Sequence, residues 1–245
     1  MSQKIVKLVQ LVLLLAVILG GWFLFFRQES ELSVGDIISF GEYQWRVLEL
    51  QDDKMFVISE YIIAIEEFPQ GRLSHYDIRD MMQRQREQMH DGVRRWYIVD
   101  ITWADSLIRQ WLNDDFYMSF TLEERARIVE TTVINNANPW SGVSGGNNTV
   151  DKIFLLSIEE VVQYFGDSGQ LQNRPGNTWL IRDQYHDARL AINVNVPRRQ
   201  YGDWWLRSPG RYGNYAAYVG RFGIDVGGRS VTASDSIRPA LWLYR

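Results

Sequence analysis

The run LVQLVLLLAVILGGWFLFF, Leu8 to Phe26, constrains this chain more than any other stretch. It is apolar apart from Gln10 and leaves no polar face, which argues against a buried core helix of a globular head. At ~1.5 Å per residue it would span about 28 Å, close to the hydrocarbon thickness of a bilayer. Lys4 and Lys7 precede the run; Arg27, Glu29 and Glu31 follow it. Positive charge on a short leading tail predicts that the tail stays inside and the rest of the chain lies outside. A cleaved signal peptide would need a shorter apolar region ending in small residues, and here Trp22, Phe23, Phe25 and Phe26 occupy that end. The sequence therefore predicts a cytoplasmic tail at 1–7, a transmembrane anchor at 8–26, a linker at 27–34 and an extracellular head at 35–245, held on the cell membrane by one span.

The head contains no cysteine, which excludes disulfides, thiolate nucleophiles, zinc–thiolate sites and iron–sulfur clusters. A formal charge of −4 argues against a nucleic-acid partner, which would need a basic face. Tryptophan, tyrosine and phenylalanine are abundant, as suits a β-rich core and a ligand-binding surface. The segments DIISFG, YQWRVLEL and KMFVISEYIIA read as strands, with Asp52-Asp53 turning between the last two. Residues 66–100 differ: YDIRDMMQRQREQMHDGVRRW is charged, Met-rich and helix-prone, and we read it as an inserted surface helix. Acidic residues dilute its arginines, which favours a solvated face over a nucleic-acid site. Ile108, Trp111, Leu112 and Phe116 recur at helical spacing. Thr121 with Glu124, and Ser157 with Glu160, form capping boxes at two further helix starts. KIFLLS reads as a strand, residues 166–202 as irregular, and the remainder as short strands joined by Gly-containing turns. One α+β head results.

Three blocks in order, ITWADSLIRQWLNDDFY, GGNNTVDKIFLLSIEE and WWLRSPG…AAYV…IRPALWL, together resemble an uncharacterised bacterial family, a domain of unknown function. Its members are similar to C-type-lectin-like and formylglycine-generating-enzyme-like folds. The resemblance implies a small twisted antiparallel sheet, two or three helices and long loops, with the final strand returning beside the first. It also implies a structural, ion-pairing or carbonyl-binding role for Arg238.

Enzymatic relatives of those folds work through cysteine, absent here, or through histidine-bound iron. His75, His90 and His186 are too scattered for the latter. Ser208 lacks the G-x-S-x-G elbow, Asp52-Asp53 and Asp114-Asp115 fall at a turn and a helix end, and no phosphate-binding glycine loop is present. The loop NNANPWSGVSGGNNTVD offers oxygens for calcium, chiefly from Asn136, Asn147, Asn148 and Asp151; the same residue types also serve tight turns. A ligand face is expected from the closing strands: Trp205, Arg211, Tyr212, Asn214, Tyr215, Tyr218, Arg221, Phe222, Asp225 and Arg229. The neighbours Trp204 and Trp205 point to opposite sides of any strand they share. Either one of them lines that face, or both are buried beneath covering loops. The function expected is a membrane-anchored module that binds a protein or glycan without catalysis. Two alternatives stand beside it: an enzyme whose site is assembled from 166–202 and 135–151, or an assembly protein that docks a partner through the helix at 77–96.

Overall fold

The structure, a computed structural model, describes residues 32–63, 101–194, 201–231, 233 and 235–245. The expected anchor at 8–26 and the inserted helix at 66–100 lie outside the described residues.

The first strands form a meander: β1 (Ile37–Phe40), β2 (Tyr43–Leu50) and β3 (Lys54–Ser59). In β2, Trp45 and Val47 are buried by plain alternation, yet Leu48 is buried as well. A register shift between Val47 and Glu49 explains the adjacent pair, because a bulge turns the extra side chain toward the same core. A 3₁₀ turn (Trp103–Asp105) leads into α1 (Leu107–Trp111), which Ser106 caps by accepting from the Arg109 N–H at 3.2 Å. The helix then widens into a π turn over Leu112–Phe116. Next come α2 (Leu122–Arg127), β4 (Ile128–Val129), β5 (Thr131–Val133), β6 (Thr149–Asp151) and α3 (Ile158–Phe165). Both predicted capping boxes are present, Thr121 with Glu124 at α2 and Ser157 with Glu160 at α3.

The segment expected to be irregular contains β7 (Leu180–Ile181), α4 (His186–Arg189) and β8 (Ala191–Ile192). A fully buried ion pair holds it: Arg189 Nη1 lies 2.8 Å from Asp183 Oδ1, and Nη2 donates to the Gly166 carbonyl at 2.5 Å. The chain then runs through β9 (Tyr201–Gly202), β10 (Trp204–Pro209), β11 (Tyr215–Gly220), β12 (Gly223–Ser230) and β13 (Ala240–Tyr244).

These strands make two main antiparallel sheets, ordered β1-β2-β3-β13-β4 and β10-β11-β12-β7, and two small pairs, β5-β6 and β8-β9. The expected fold class is thereby corrected. In place of one small sheet with helices and long loops, the described chain is strand-dominated, and its longest helix is the eight residues of α3. Among the described residues no helix is long and apolar enough to cross a membrane. The final strand pairs with β3 and β4, not with β1. KIFLLS also departs from expectation. Its Phe154 makes one isolated bridge to Ala240, while Asn113 accepts from the Lys152 N–H at 2.7 Å and donates to the Ile153 carbonyl at 2.9 Å. A side chain thus takes bonds that a neighbouring strand would have taken.

The three sequence blocks interlock into a frame. Asp151 in the second block accepts from Trp103 Nε1 (2.8 Å) and Arg109 Nε (2.6 Å) in the first. Arg207 in the third block, itself buried, forms an ion pair with the partly exposed Glu160 of the α3 cap and donates to the Leu155 carbonyl at 2.7 Å. Ser208 Oγ accepts from the Ile158 N–H at 3.0 Å. Helix α3 rests on the first sheet through Tyr164, which donates to Glu49 at 2.7 Å and tilts against Phe56. Burial and the Glu49 carboxylate push the Tyr164 phenol up. Arg238 is buried, and its Nε donates to the Ser59 carbonyl at 2.8 Å.

Candidate functional site

Hairpin β11–β12 turns at Arg221-Phe222 and carries one wall of an open groove of about 850 Å³. The opposite wall comes from Trp179 and Leu180, brought in by the pairing of β7 with β12. Two glycines of β12 permit this closeness. Gly223 has φ +134°, and a Cβ there would stand 2.0 Å from the Ile181 carbonyl. Gly227 lets Trp179 lie on the strand, since a Cβ would meet the Trp179 side chain at 2.9 Å. The third side is built by Tyr201, Asp203 and Asp235 from the segments flanking β10 and preceding β13.

One guanidinium organises the floor. Arg229 Nη2 lies 2.5 Å from Asp203 Oδ2, and its Nη1 lies 3.1 Å from Asp235 Oδ1. The same guanidinium carbon sits 3.6 Å from the centre of the Tyr218 ring. Tyr218 in turn donates to Asp225 Oδ2 at 3.0 Å, and Asp225 Oδ1 accepts from the Gly228 N–H at 2.9 Å. Burial works against the charge on Arg229, but the bonds to Asp203 and the attraction of Asp235 outweigh it and hold its pKa up. Burial and the Asp225 charge push the Tyr218 phenol up. Asp235 is the most perturbed of the acids. Burial pushes its carboxyl up to about 6; Arg229 pulls it down and Asp203 adds to the rise. Its Oδ2 is buried and has no hydrogen-bond partner among the described residues. Around the rim, Phe222 and Tyr201 are about half exposed, at 51% and 60%. Arg221 stacks over Phe222 at 4.7 Å and Arg174 over Trp179 at 4.0 Å.

The groove therefore gathers Tyr218, Arg221, Phe222, Asp225 and Arg229 of the expected ligand face. Arg211, Tyr212, Asn214 and Tyr215 do not line it. Tyr212 and Tyr215 pack edge to face, and Arg211 lies over both rings. Trp205 is 4% exposed and lies behind the groove, edge-on to its cross-strand partner Tyr218. Trp204 is wholly buried on the other side, where its indole donates to the Arg189 carbonyl at 3.2 Å and Arg238 stacks on its ring. Both tryptophans are core, since all six residues of β10 are covered.

Sequence reasoning missed Trp179, Tyr201, Asp203 and Asp235. A local signal existed only for Asp203, a lone carboxylate among Tyr201, Gly202, Trp204 and Trp205; Asp235 lies in the stretch TASDSI, which carries none.

The 135–151 loop is differently employed. Both Asp151 oxygens are taken by Trp103, Arg109 and Thr149. Asn148 Oδ1 accepts from the Asn135 N–H at 3.0 Å, and the Asn147 carbonyl accepts from Asn135 Nδ2 at 2.8 Å. Asn138 Nδ2 donates to the Pro209 and Val226 carbonyls, stapling the loop to the second sheet. Of the expected set Asn136, Asn147, Asn148 and Asp151, the one carboxylate is thus engaged by three protein donors, and Asn147 and Asn148 brace Asn135 across the loop. Among the described residues no three acidic or histidine side chains converge as metal ligands.

No curated protein and no solved structure matches this chain. One family model does, over residues 52–245. That span holds both sheets apart from β1 and β2, every residue of the groove and all three interlocking blocks. The chain therefore belongs to the family of the domain of unknown function DUF6273.

Proposed function

We propose that this protein is a ligand-binding module whose groove takes a glycan. The observation that carries the reading is the bracket Asp203–Arg229–Asp235 beneath Tyr218, set in a groove with exposed aromatic rims. A sugar ring presents an apolar C–H face and a belt of hydroxyls. The first suits stacking on the exposed Phe222 or Tyr201; the second suits fixed carboxylate and guanidinium groups. The ion pairs hold those polar groups in place before any ligand arrives, which lowers the ordering cost of binding. An open groove also admits a stretch of polymer rather than only a monomer. The reading places the head outside the cell membrane, and protease accessibility on intact cells tests that placement.

A glycan screen with the full chain in mild detergent tests the function itself. Phe222→Ala and Arg229→Ala are expected to weaken a captured glycan by at least about tenfold each. Tyr212→Ala, away from the groove, is expected to leave it unchanged. Binding lost in Tyr212→Ala but kept in the two groove variants would move the site to the other end of the hairpin.

One observation favours a second reading, hydrolysis. Burial, with Asp203 adding to it, pushes the Asp235 carboxyl up to about 6, toward the range of a general acid. Asp203 and Asp225 are already held by Arg229 and by Tyr218 with Gly228, so neither is free to act opposite it. Release of new reducing ends from a bound glycan would establish hydrolysis over binding alone.

A further inference from the structure

We propose that the glycan taken by this groove is acidic, and that Arg174, Arg182 and Arg221 at its rim read the carboxylates along it. The inference rests on the glycan-binding reading and narrows it to one substrate class.

These three arginines lie on the groove's aromatic rings, and none of them meets a carboxylate among the described residues. Arg174 is held in place. Its Nε donates to the Thr178 carbonyl at 2.6 Å and its Nη2 to the Asn177 carbonyl at 3.4 Å. Its guanidinium carbon lies 4.0 Å from the centre of the Trp179 ring and 5.0 Å from that of Trp140. Trp140 is itself fixed, since its indole donates to the Leu171 carbonyl at 2.8 Å. Carbonyls and rings orient this cation without neutralising it. Arg182, just beyond β7, and Arg221, in the hairpin turn, reach one ring from two elements. Their guanidinium carbons lie 5.8 and 4.7 Å from the centre of Phe222, and both residues are exposed. Two like charges gathered on one ring repel each other, and an anion bound beside both relieves the repulsion.

The acids nearby do not fill that role. Asp203 and Asp235 share Arg229, and Asp225 accepts from Tyr218 and the Gly228 N–H. Asp203 also accepts from the Arg221 backbone N–H at 3.3 Å, not from its guanidinium. Asp183, next to Arg182 in sequence, is buried against Arg189. The whole chain carries a formal charge of −4, so a polyanion gains nothing from the molecule at large and binds where guanidiniums gather. A uronic acid polymer meets such a rim with both of its features. Its carboxylates match the guanidinium fork, and its sugar rings stack on Phe222 and Tyr201.

Two matched pairs of tetrasaccharides give the test. Tetragalacturonate and its methyl ester share an α-1,4 backbone; cellotetraose oxidised to the uronate at carbon 6 and cellotetraose itself share a β-1,4 backbone. Calorimetric titration of the full chain in mild detergent, at pH 7 and about 20 mM salt, is expected to rank the acid of at least one pair about tenfold tighter than its neutral partner. The preference is expected to shrink several-fold in about 0.5 M salt. It is expected to fall in Arg174→Gln and to vanish when Arg182→Gln and Arg221→Gln are combined. Arg211→Gln, on Tyr212 and Tyr215 outside the groove, is expected to leave it unchanged. Preference retained in the combined variant, or lost equally in Arg211→Gln, would overturn the role of the rim. Equal affinity within both pairs would overturn the acidic-glycan inference while leaving glycan binding intact. Rejection of all four sugars, with polyglutamate bound instead, would overturn the inference and the glycan reading together. The ranking needs only the unaltered chain, so it stands even if a variant fails to fold.

Discussion

Asp235 stores a pH dependence in a single side chain. Its folded-state pKa of about 6 exceeds the ordinary 3.8, so the folded protein holds this proton more tightly than the unfolded chain does. The resulting stabilisation is fully present below the unfolded value and is lost as pH rises through about 6. Asp235→Asn is therefore expected to gain on the wild type in urea midpoint as pH rises from about 4 to 7, and to show little difference near the acid end. Asp183 works in the opposite sense. Burial alone would raise it, but Ser168, Arg189 and the Tyr185 N–H together hold it below its usual range. Its contribution is present above about 3.8 and fails as pH falls below that. Arg207 carries a different load, since its guanidinium meets Glu160 and the Leu155 and Ile134 carbonyls in a nearly closed site. Arg207→Met removes the cation from Glu160 and the side-chain donor from the two carbonyls, with an expected loss of about 3 kcal/mol measured by urea unfolding.

Among the elements, helix starts and strand turns were the features most open to reading. Ser157 and Glu160 satisfy the first N–H groups of α3 from three residues apart, so the signal is local and survives in one line of sequence. Ser157→Ala is expected to cost about 1 kcal/mol in thermal unfolding. Strand β2 was legible for the same reason: its apolar alternation and flanking turns lie within a few residues. The groove was not. Its walls meet only because β7 pairs with β12 across more than forty residues, and Trp179 and Leu180 sit in a stretch without apolar period. Its floor joins Asp203, Arg229 and Asp235, which no spacing rule connects. The half of the site on hairpin β11–β12 could be named from composition; the half supplied by tertiary pairing could not. Nor did KIFLLS announce that the Asn113 side chain would take bonds a strand partner would have taken. Gly223→Ala tests the pairing that makes the groove. With φ +134° and the Ile181 carbonyl in the way, the change is expected to separate β7 from β12, raise amide exchange at Ile224 and Asp225, and weaken ligand binding more than stability.

For the molecule as a whole, Val34–Arg245 behave as one packed unit. Its two main sheets are joined by the Trp204–Ser236 and Phe154–Ala240 bridges and by the Arg207 clamp. Fluorescence and circular dichroism are accordingly expected to report one coincident unfolding transition. Strand β13 makes the strongest demand, because it fills the gap between β3 and β4. Deleting Ala240–Tyr244 is expected to abolish cooperative unfolding and to leave the fragment sensitive to proteolysis. The same placement has a consequence during synthesis. While a ribosome is still producing the polypeptide, β1, β2 and β3 can assemble early, but the outer flank of β3 keeps its backbone groups bare until residues 240–244 emerge. A nascent chain of this kind presents a sticky, half-built ribbon for most of its translation, and its need for chaperone shelter follows from the order of its strands.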